Sequence, residues 1–569
     1  MRTSNDTGNP LYNEAWPKIT GTFFDIIQKN GTHKKLKKGT VFFEVGDPSY
    51  DFAFVQHGCL RIIDRVNDRT IVSVEQGQFI GEIGMLMGQK AFLAGIAGED
   101  SELYTIPQKQ FMELVTTIPE LGEIVVSAYA ARRKLLMEWG EGGIILIGDD
   151  STKKIKVLLE FLERSHIPFR NIPWGHPEVK KLKVTCDLPD SGIIAVIGNS
   201  TVICEPSPFD IAKNLGLDLS VDSSKVFDVL VIGAGPSGLA ASIYGASEGL
   251  SVLTIEDTAI GGQAGTSSRI ENFFGFPKGI SGADLAYNGE IQAIKFGARL
   301  AVPRRAEKLI QENGHFRLEF NDGGYALGRS VVLANGIRYR RLPIPGLKNF
   351  EGQGIYYSAT KLESRFCKDQ NVVIIGGGNS AGQAAMFLSR FAKHTYIVVR
   401  GTGLSETMSS YLSKRILKDE DITLLTHTEI KNVIGTDELE KVELHNTLNG
   451  KVHTIDTHAL FIMIGAVPNT EWLKEAVKLD NNGFIRTGQN TSPYETSVPG
   501  VYAVGDIRSG SVKRVASAVG EGSVVISYVR INFLNRRSFD DTTGLQLQNK
   551  MLSVQFDIGF VTIPVECTT

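Results

Sequence analysis

Two glycine-rich loops contain the residues whose types and spacing are best suited to chemistry. The first loop follows the apolar run 227–232 and consists of Gly233-Ala234-Gly235-Pro236-Ser237-Gly238; a second apolar run ends at Glu256, 23 residues after Gly233. In a strand–loop–helix unit, Gly233 permits a tight turn, Gly235 lets backbone amides approach a pyrophosphate, and Gly238 lets the helix pack closely. A carboxylate at the end of the second strand accepts hydrogen bonds from ribose hydroxyls. This pattern predicts a dinucleotide site.

The pattern occurs a second time with one informative change. The run 371–375 leads into Gly376-Gly377-Gly378-Asn379-Ser380-Ala381, and the second strand now ends at Arg400, 24 residues after Gly376. A carboxylate in this place suits a free 2′-hydroxyl, whereas an arginine suits a 2′-phosphate. We therefore expect FAD at the first loop and NADP(H) at the second. The alternative interpretation of Arg400 is a solvated surface charge.

Further motifs lie between and after the two loops in a fixed order. They are Gly261-Gly262-Gln263, Glu271-Asn272-Phe273-Phe274-Gly275-Phe276-Pro277, Ala334-Asn335-Gly336, Gly505-Asp506 and Lys513-Arg514-Val515-Ala516. With the two loops, they make residues 225–535 resemble the low-molecular-weight thioredoxin reductases.

This resemblance implies a domain plan and a set of flavin contacts. The FAD domain is split into 225–337 and 467–535, and the NAD(P)H domain, 338–466, is inserted between the two parts. The residues implied to line the flavin are Gly262, Gln263 and Asn272, with Asp506 on the ribityl chain and the backbone of Lys513, Arg514 and Val515 near the ring. The resemblance also implies a homodimer.

The chain departs from this family at the residues that carry its redox dithiol. The family has Cys-Ala-x-Cys just before the second loop, and this chain has Ser358-Ala359-Thr360-Lys361. Cys367 is a lone sulfur nine residues after Ser358, most simply a packed or surface thiol. The family's further NADP-binding arginines are Gly401 and Ser405 here.

These features predict an oxidoreductase that passes electrons from NADPH through FAD to an acceptor other than its own disulfide. Ferredoxin-like carriers, quinones and oxygen are candidates, and no side chain is singled out as a catalytic acid, base or nucleophile. Two alternatives are open: a disulfide reductase that uses a partner's thiols, and a redox or nucleotide sensor with incidental turnover.

The N-terminal part, 21–142, resembles a cyclic-nucleotide-binding domain, a β-roll closed by helices. In that family the Glu of a Phe-Gly-Glu motif binds the ribose and an Arg binds the cyclic phosphate. Glu82 matches the Glu, but the Arg position is Phe92, the neighbouring hydroxyl position is Leu93, and Lys90 is the nearby cation. An apolar side chain cannot replace a bidentate phosphate ligand, so we expect no binding of cyclic nucleotide in the family's way.

Residues 143–222 resemble the thioredoxin/glutaredoxin fold in their order of elements, βαβ followed by ββα. The redox members carry Cys-x-x-Cys after the first strand, where this chain has Asp149-Asp150-Ser151-Thr152. Without thiols at these positions the unit cannot exchange disulfides, and Cys186 and Cys204 are expected to be buried small hydrophobes rather than a redox pair. Residues 1–20 are predicted to form an arm, and the tail 536–569, with Cys567, has no functional interpretation.

Composition limits the remaining possibilities. Sixty basic and 63 acidic residues give a net charge of −3, which does not favour nucleic acid or an anionic membrane as the main partner. The start of the chain has no signal-peptide pattern, no run of about 20 apolar residues is present, and the five cysteines form no short-spaced pair. We expect a cytoplasmic, multidomain α/β protein without a metal site or membrane span, whose partner is a small-molecule or protein electron acceptor.

Overall fold

The computed structural model describes residues 10–540 except 48–49, 66–68, 87–88, 150–151, 199–200, 218–220, 268, 313, 360, 405–407 and 489–491. Several sequence predictions concern residues outside this set. They are the arm over 1–9, Asp150, Ser151, Thr360, Ser405, and the tail over 541–569 with Cys567.

The N-terminal unit is a roll of two four-stranded antiparallel sheets closed by helices. The sheets have the strand orders β1-β8-β3-β6 and β2-β7-β4-β5. Stacked aromatic rings fill the space between the sheets and the helices; the ring centres of Phe52 and Phe111, for example, are 3.9 Å apart. The elements are α1 (Pro10–Ala15), α2 (Thr22–Asn30), β1 (Thr32–Leu36), β2 (Val41–Phe43), β3 (Phe52–His57), β4 (Cys59–Asp64), β5 (Arg69–Glu75), β6 (Phe79–Ile80), α3 (Ile83–Leu86), β7 (Ala94–Ala97), β8 (Ser101–Ile106), α4 (Gln108–Thr117) and α5 (Pro119–Trp139).

The second half of the predicted arm is packed rather than free. Ala15 of α1 is fully buried against Ala131 and Leu135 of α5, and its carbonyl accepts a hydrogen bond of 2.7 Å from the Arg132 guanidinium. Leu11 and Ala15 lie four residues apart, which places them on one face of a helix. The polar composition of residues 1–20 hides this apolar face.

The second unit has a four-stranded mixed sheet of order β10-β9-β11-β12. The predicted succession of elements is present, with one additional helix between the second and third strands. Residues 144–147 are all buried because helices cover both faces of the sheet. The elements are β9 (Ile144–Ile147), α6 (Lys153–Arg164), β10 (Phe169–Ile172), α7 (Pro177–Thr185), β11 (Ile194–Ile197), β12 (Thr201–Cys204) and α8 (Pro208–Asn214).

The third unit is built on a seven-stranded sheet whose strands come from two separate parts of the chain. Its order is β15-β14-β13-β18-β17-β16, and β29 pairs in parallel with β18. The elements are β13 (Val226–Ile232), α9 (Pro236–Ser247), β14 (Val252–Ile255), α10 (Gly262–Gly265), α11 (Gly282–Lys295), β15 (Arg299–Ala301), β16 (Ala306–Glu312), β17 (His315–Phe320), β18 (Tyr325–Leu333) and β19 (Ile337–Tyr339), then β28 (Ala466–Pro468), β29 (Val501–Ala503) and α15 (Val515–Asp540).

The fourth unit is inserted between these two parts. A five-stranded parallel sheet of order β20-β27-β21-β22-β23 carries the second glycine loop. A separate three-stranded sheet is formed by the part of the chain between β23 and β27. The chain enters through β19 and returns through β28, which pair with each other. The elements are β20 (Ile355–Tyr356), α12 (Lys361–Phe366), β21 (Asn371–Ile375), α13 (Asn379–Leu388), β22 (His394–Val398), α14 (Ser410–Ile416), β23 (Ile422–Leu425), β24 (Thr428–Gly435), β25 (Leu439–Asn446), β26 (Val452–Asp456) and β27 (Ala459–Ile462).

The fold is therefore α/β, with two Rossmann-type sheets preceded by the β-roll. In the part of the chain that the structure describes, no single helix is long and apolar enough to cross a membrane. Helices α4 and α5 meet that requirement of length and composition only when they are taken together, and they are bent by 118° relative to each other.

Candidate dinucleotide sites

The first glycine loop leaves space where a pyrophosphate is expected. Gly233 has φ +102°, and a Cβ there would lie 2.4 Å from the Ala334 carbonyl oxygen. A Cβ on Gly238 would lie 1.8 Å from the Gly233 carbonyl oxygen, so these two glycines are required by the protein itself. A Cβ on Gly235 would meet no atom closer than 3.8 Å. Gly235 is the N-cap of α9, whose first helical residues are Pro236 and Ser237, so the open space lies at a helix N-terminus.

Glu256 is held beside this loop by two backbone amides. Its Oε2 accepts from Ala234 N at 2.9 Å, and its Oε1 accepts from Thr258 N at 3.1 Å. Burial and the adjacent Asp257 carboxylate raise the pKa of Glu256. Ribose hydroxyls donating to this carboxylate would stabilise its ionised form, as the predicted role requires.

The loop with Gly262 and Gln263 closes over the first glycine loop. Gly262 has φ +53°, and a Cβ there would lie 3.0 Å from Gly235 Cα. The Gln263 side chain donates to the Ile337 carbonyl at 3.4 Å, while its buried Oε1 has no hydrogen-bond partner among the described residues. The Asn335 side chain likewise donates to Asn469 O at 2.7 Å and keeps a buried, unpartnered Oδ1. The open space at the glycines and the two unpartnered amide oxygens suit a flavin, because its ring N–H and ribityl O–H groups can donate hydrogen bonds to those oxygens.

Asp506 lies at the N-terminal end of α9. Gly505 has φ +74°, and a Cβ there would lie 2.5 Å from Ser237 Oγ. Burial raises the pKa of Asp506, and the nearby Lys513 opposes this shift. Lys513 donates to the Asp506 carbonyl at 3.4 Å, Arg514 is exposed, and Val515 begins α15. Four residues that the sequence assigned to the flavin therefore lie close together in the structure: Gly235, Ser237, Gly262 and Asp506.

The support beneath Asp506 was not found from the sequence. Gly505 N donates to Glu521 Oε2 at 2.6 Å, and Glu521 also accepts from Arg508 Nε at 2.9 Å. This ion pair between the loop and α15 fixes the backbone of Gly505. Glu521 lies in the interior of a helical pattern, and no local signal distinguishes it from an exposed helix glutamate.

Asn272 lies away from this cluster on the surface. It is exposed and lines a groove together with Glu271 and with Tyr411 of α14, a helix of the inserted unit. Arg415 of the same helix forms an ion pair of 3.3 Å with Glu271. In this arrangement the segment 271–277 contacts the inserted unit.

The glycines of the second loop resemble those of the first loop, because one is required by close backbone packing and another leaves open space. Gly376 has φ +139°, and a Cβ there would lie 2.2 Å from the Met463 carbonyl oxygen, whereas a Cβ on Gly378 would meet no atom within 4 Å. Ala381 is fully buried in α13, and Ser380 is exposed. Asn379 Oδ1 accepts from Ser409 N at 2.8 Å, so this side chain ties the loop to the start of α14.

Arg400 is exposed just after β22, and no ion pair or hydrogen bond to another described residue involves its side chain. Its guanidinium is therefore available to a phosphate. The solvated alternative is equally consistent with this exposure.

The positions that carry the redox dithiol in the family hold no reactive thiol among the described residues. Ser358 follows β20 and Ala359 is buried, while α12 begins at Lys361. Cys367 is fully buried and donates to the Glu363 carbonyl at 3.2 Å. Burial raises the pKa of the Cys367 thiol to about 12, so it is protonated at neutral pH.

The second unit contacts both dinucleotide-binding units through α6. Arg164 donates to the Gly262 carbonyl at 3.2 Å, and its buried Nε has no partner among the described residues. Lys156 donates to the Gly352 carbonyl at 2.8 Å and lies 4.5 Å from the centre of the Phe366 ring. This second unit therefore bridges the loop at Gly262 and the inserted unit, which the sequence did not predict.

The positions that bind cyclic nucleotide in the N-terminal family are filled or engaged. Phe92 and Leu93 are buried against Ile71 and Leu136. Glu82 accepts from Arg133 Nε at 3.1 Å, so its carboxylate is already paired. These contacts support the expectation that this unit does not bind cyclic nucleotide in the family's way.

Two Rossmann-type sheets, each with an open glycine loop, are the arrangement of a protein that binds two dinucleotides. Residues 227–522 match the pyridine nucleotide-disulphide oxidoreductase family, and residues 33–117 match the cyclic nucleotide-binding domain. The chain belongs to the pyridine nucleotide-disulphide oxidoreductase family and is an FAD-dependent oxidoreductase that uses a nicotinamide cofactor.

Similar proteins cover about half of the chain. A thioredoxin reductase of Mycolicibacterium smegmatis is 34% identical over 300 residues, which is 53% of this chain and 94% of that protein. The "34.2 kDa protein in rubredoxin operon" of Clostridium pasteurianum is 33% identical over 300 residues, 53% of this chain and 95% of that protein. The crystal structure of Lactococcus lactis thioredoxin reductase matches with 26% identity and a TM-score of 0.51, covering 54% of this chain and 99% of that one.

Proposed function

We propose that this enzyme passes electrons from NADPH through FAD to an acceptor other than a disulfide of its own. The observation that carries the proposal is the chemistry of residues 358–367. A serine stands in the first thiol position, a lysine in the second, and Cys367 is a buried, protonated thiol. Disulfide exchange needs a thiolate that can attack and a second thiol that can resolve the mixed disulfide. Neither is available there.

The residues of the third unit are suited to holding FAD. Gly235 leaves room for the pyrophosphate, Glu256 would accept from the ribose, and Asp506 would accept from the ribityl chain. Gln263 offers an unused acceptor to the flavin ring. Bound FAD takes up a hydride and can release electrons singly or in pairs. The protein's part is to orient the two cofactors and to exclude water, and this requires no ionisable side chain.

We assign NADPH rather than NADH to the second loop because of Arg400. An exposed, unpaired guanidinium at the end of the second strand suits a 2′-phosphate. Gly378 provides the open backbone for the pyrophosphate.

The acceptor belongs to one of three classes: a one-electron protein carrier, a quinone or oxygen. The Clostridium pasteurianum relative is named for a rubredoxin operon. That name favours a small redox carrier as the first class to test. The acceptor's identity, the cytoplasmic location and the homodimer stay predictions.

A steady-state screen of the purified enzyme with NADPH tests the proposal. The acceptors are ferricyanide, a soluble quinone, a ferredoxin, oxygen and thioredoxin, and each is measured with the same enzyme preparation. We expect rapid turnover with ferricyanide and negligible turnover with thioredoxin. Thioredoxin reduction as fast as ferricyanide reduction would overturn the proposal and favour the partner-thiol alternative.

A second candidate, a sensor in which turnover is incidental, is supported by one structural feature. The apolar core of the N-terminal unit continues into Ile291 and Ile294 of α11, a helix of the flavin-binding unit. Tight binding of NADPH with negligible turnover for every acceptor, and a ligand-dependent change in α11, would favour this candidate.

A further inference from the structure

A cavity of about 350 Å³ lies where the first three units meet. Met112 and Arg133 line it from the N-terminal unit, Ser165 lines it from the second unit, and Tyr287, Glu290 and Leu300 line it from the third. This volume is at the small end of the range for ligand pockets. The cavity is separate from both glycine loops, whose residues do not line it.

Three polar groups on this cavity have no partner in the described part of the chain. The Tyr287 hydroxyl and Ser165 Oγ are buried and make no hydrogen bond. Glu290 is 7% exposed, and no hydrogen bond to its carboxyl group is present among the described residues. Buried polar groups are normally satisfied, and three orphans around one cavity indicate a missing partner.

The buried guanidinium of Arg133 lines the same cavity but makes no hydrogen bond to Glu290 among the described residues. Arg133 donates with Nε and Nη2 to Glu82 and with Nη1 to the His166 carbonyl at 3.0 Å. Burial raises the pKa of Glu290 to about 7, although the positive charge of Arg133 opposes this shift. Burying an unpaired carboxylate is costly, so a cationic ligand that pairs with Glu290 would favour its ionised form.

The surroundings of Glu290 define the chemistry of that ligand. In its ionised form the Glu290 carboxylate only accepts hydrogen bonds, so a ligand that favours this form must donate them, and a positive charge would strengthen the pairing. Tyr287 and Ser165 offer further hydroxyl contacts, and Met112, Ile294 and Leu300 provide an apolar wall. Lys109 and Arg299 also line the cavity but are exposed and half-exposed, so water screens their charges.

We propose that this three-unit cavity binds a small primary amine with an apolar body, whose ammonium group pairs with Glu290. The site is independent of electron transfer. It adjoins the flavin loop through α11, because Ala286 Cβ lies 2.6 Å from the position that a Cβ on Gly261 would occupy.

Calorimetric titration of the full chain with benzylamine tests the site, and benzyl alcohol and benzoate serve as neutral and anionic probes of the same shape. We expect benzylamine to bind with a Kd on the order of 1 mM or lower. Benzyl alcohol should bind at least about tenfold more weakly, and benzoate should not bind. Absence of benzylamine binding, or benzoate binding as tight as that of benzylamine, would overturn the proposal.

Two variants and a control locate the binding. Glu290→Gln keeps the side-chain shape and should weaken benzylamine roughly tenfold or more while leaving benzyl alcohol unchanged. Ala298→Met should fill the cavity and abolish binding of both. Glu113→Gln, an exposed residue of α4 that does not line the cavity, should match the wild type. Wild-type affinity for benzylamine in Glu290→Gln would refute the pairing, and neither loaded flavin nor turnover is needed for the measurement.

Discussion

The glycines of the two loops divide into those that the protein itself needs and those that leave room for a ligand. Gly233, Gly238 and Gly376 are each within 2.4 Å or less of a backbone oxygen when a Cβ is added. Gly235 and Gly378 face open space. Single substitutions can therefore separate folding from cofactor binding.

Gly235→Val should fold normally and retain less FAD than the wild type. The backbone at Gly235 has φ −73° and ψ −176°, which valine adopts readily, and its Cβ would meet nothing closer than 3.8 Å. The added methyl groups would occupy pyrophosphate space at a cost of about 1–3 kcal/mol, or roughly 5- to 150-fold in FAD affinity. The flavin-to-protein ratio and circular dichroism measure the two effects. Full flavin content in a folded Gly235→Val protein would contradict the assigned site.

Arg400→Ala should lower the preference for NADPH over NADH roughly ten- to a hundredfold. Loss of a charge-assisted pair with the 2′-phosphate costs about 1–3 kcal/mol, and NADH lacks this phosphate. The measurement is kcat/KM for both nucleotides with ferricyanide as acceptor. Arg390→Ala, another exposed arginine of the inserted unit, is the control. An unchanged ratio in Arg400→Ala would favour the solvated-charge interpretation.

Cys367→Ser should leave NADPH-to-ferricyanide electron transfer within about threefold of the wild type, because hydride transfer to flavin uses no cysteine. The Cys367 thiol is fully buried, and burial raises its pKa to about 12. Cys204, replaced in the same way, is the control, because it is exposed rather than buried as the sequence predicted. A large, selective loss of disulfide reduction in Cys367→Ser would revive the partner-thiol alternative.

At the scale of elements, local motifs were predictable and long-range pairs were not. Strand, glycine turn, helix and terminal charge follow one another in the sequence, so both loops could be placed on β13–α9 and β21–α13. The contacts of Arg164 with Gly262 and of Arg133 with Glu82 join residues 98 and 51 positions apart. No periodicity or spacing encodes such pairs, because they form only when distant parts of the chain fold against each other.

From the structure of the segment between β6 and β7, we expect cyclic AMP and cyclic GMP to bind weakly or not at all. Phe92 and Leu93 are 7% and 8% exposed, so no polar group replaces the phosphate ligands, and Glu82 is occupied by Arg133. Calorimetry with the full chain is the measurement. A micromolar Kd for either nucleotide would contradict this prediction and would indicate Lys90 as the substitute ligand.

At the scale of the whole molecule, the units share an apolar core and are joined by hydrogen bonds. The apolar core of the N-terminal unit extends into α11, and α6 contacts both the loop at Gly262 and the inserted unit. The sequence indicated the order of the units but not this docking, because the apolar residues that a unit buries against its neighbour look the same as those in its own core. Glu290 lines the cavity at this junction.

Glu290 predicts a pH dependence of stability with a definite sign. Its pKa is about 7 in the folded protein, raised by burial from a usual value of 4.5. Between these values the folded state binds more protons than the unfolded state, so the free energy of unfolding falls as pH rises. The loss is complete above about pH 8 and amounts to on the order of 3 kcal/mol. Glu290→Gln, which cannot ionise, should melt several degrees higher than the wild type at about pH 8 and nearly equally at about pH 5. Thermal unfolding of both proteins across this range, with Glu113→Gln as control, measures the difference. A melting-temperature difference that does not grow with pH would show that Glu290 is already paired in the folded protein.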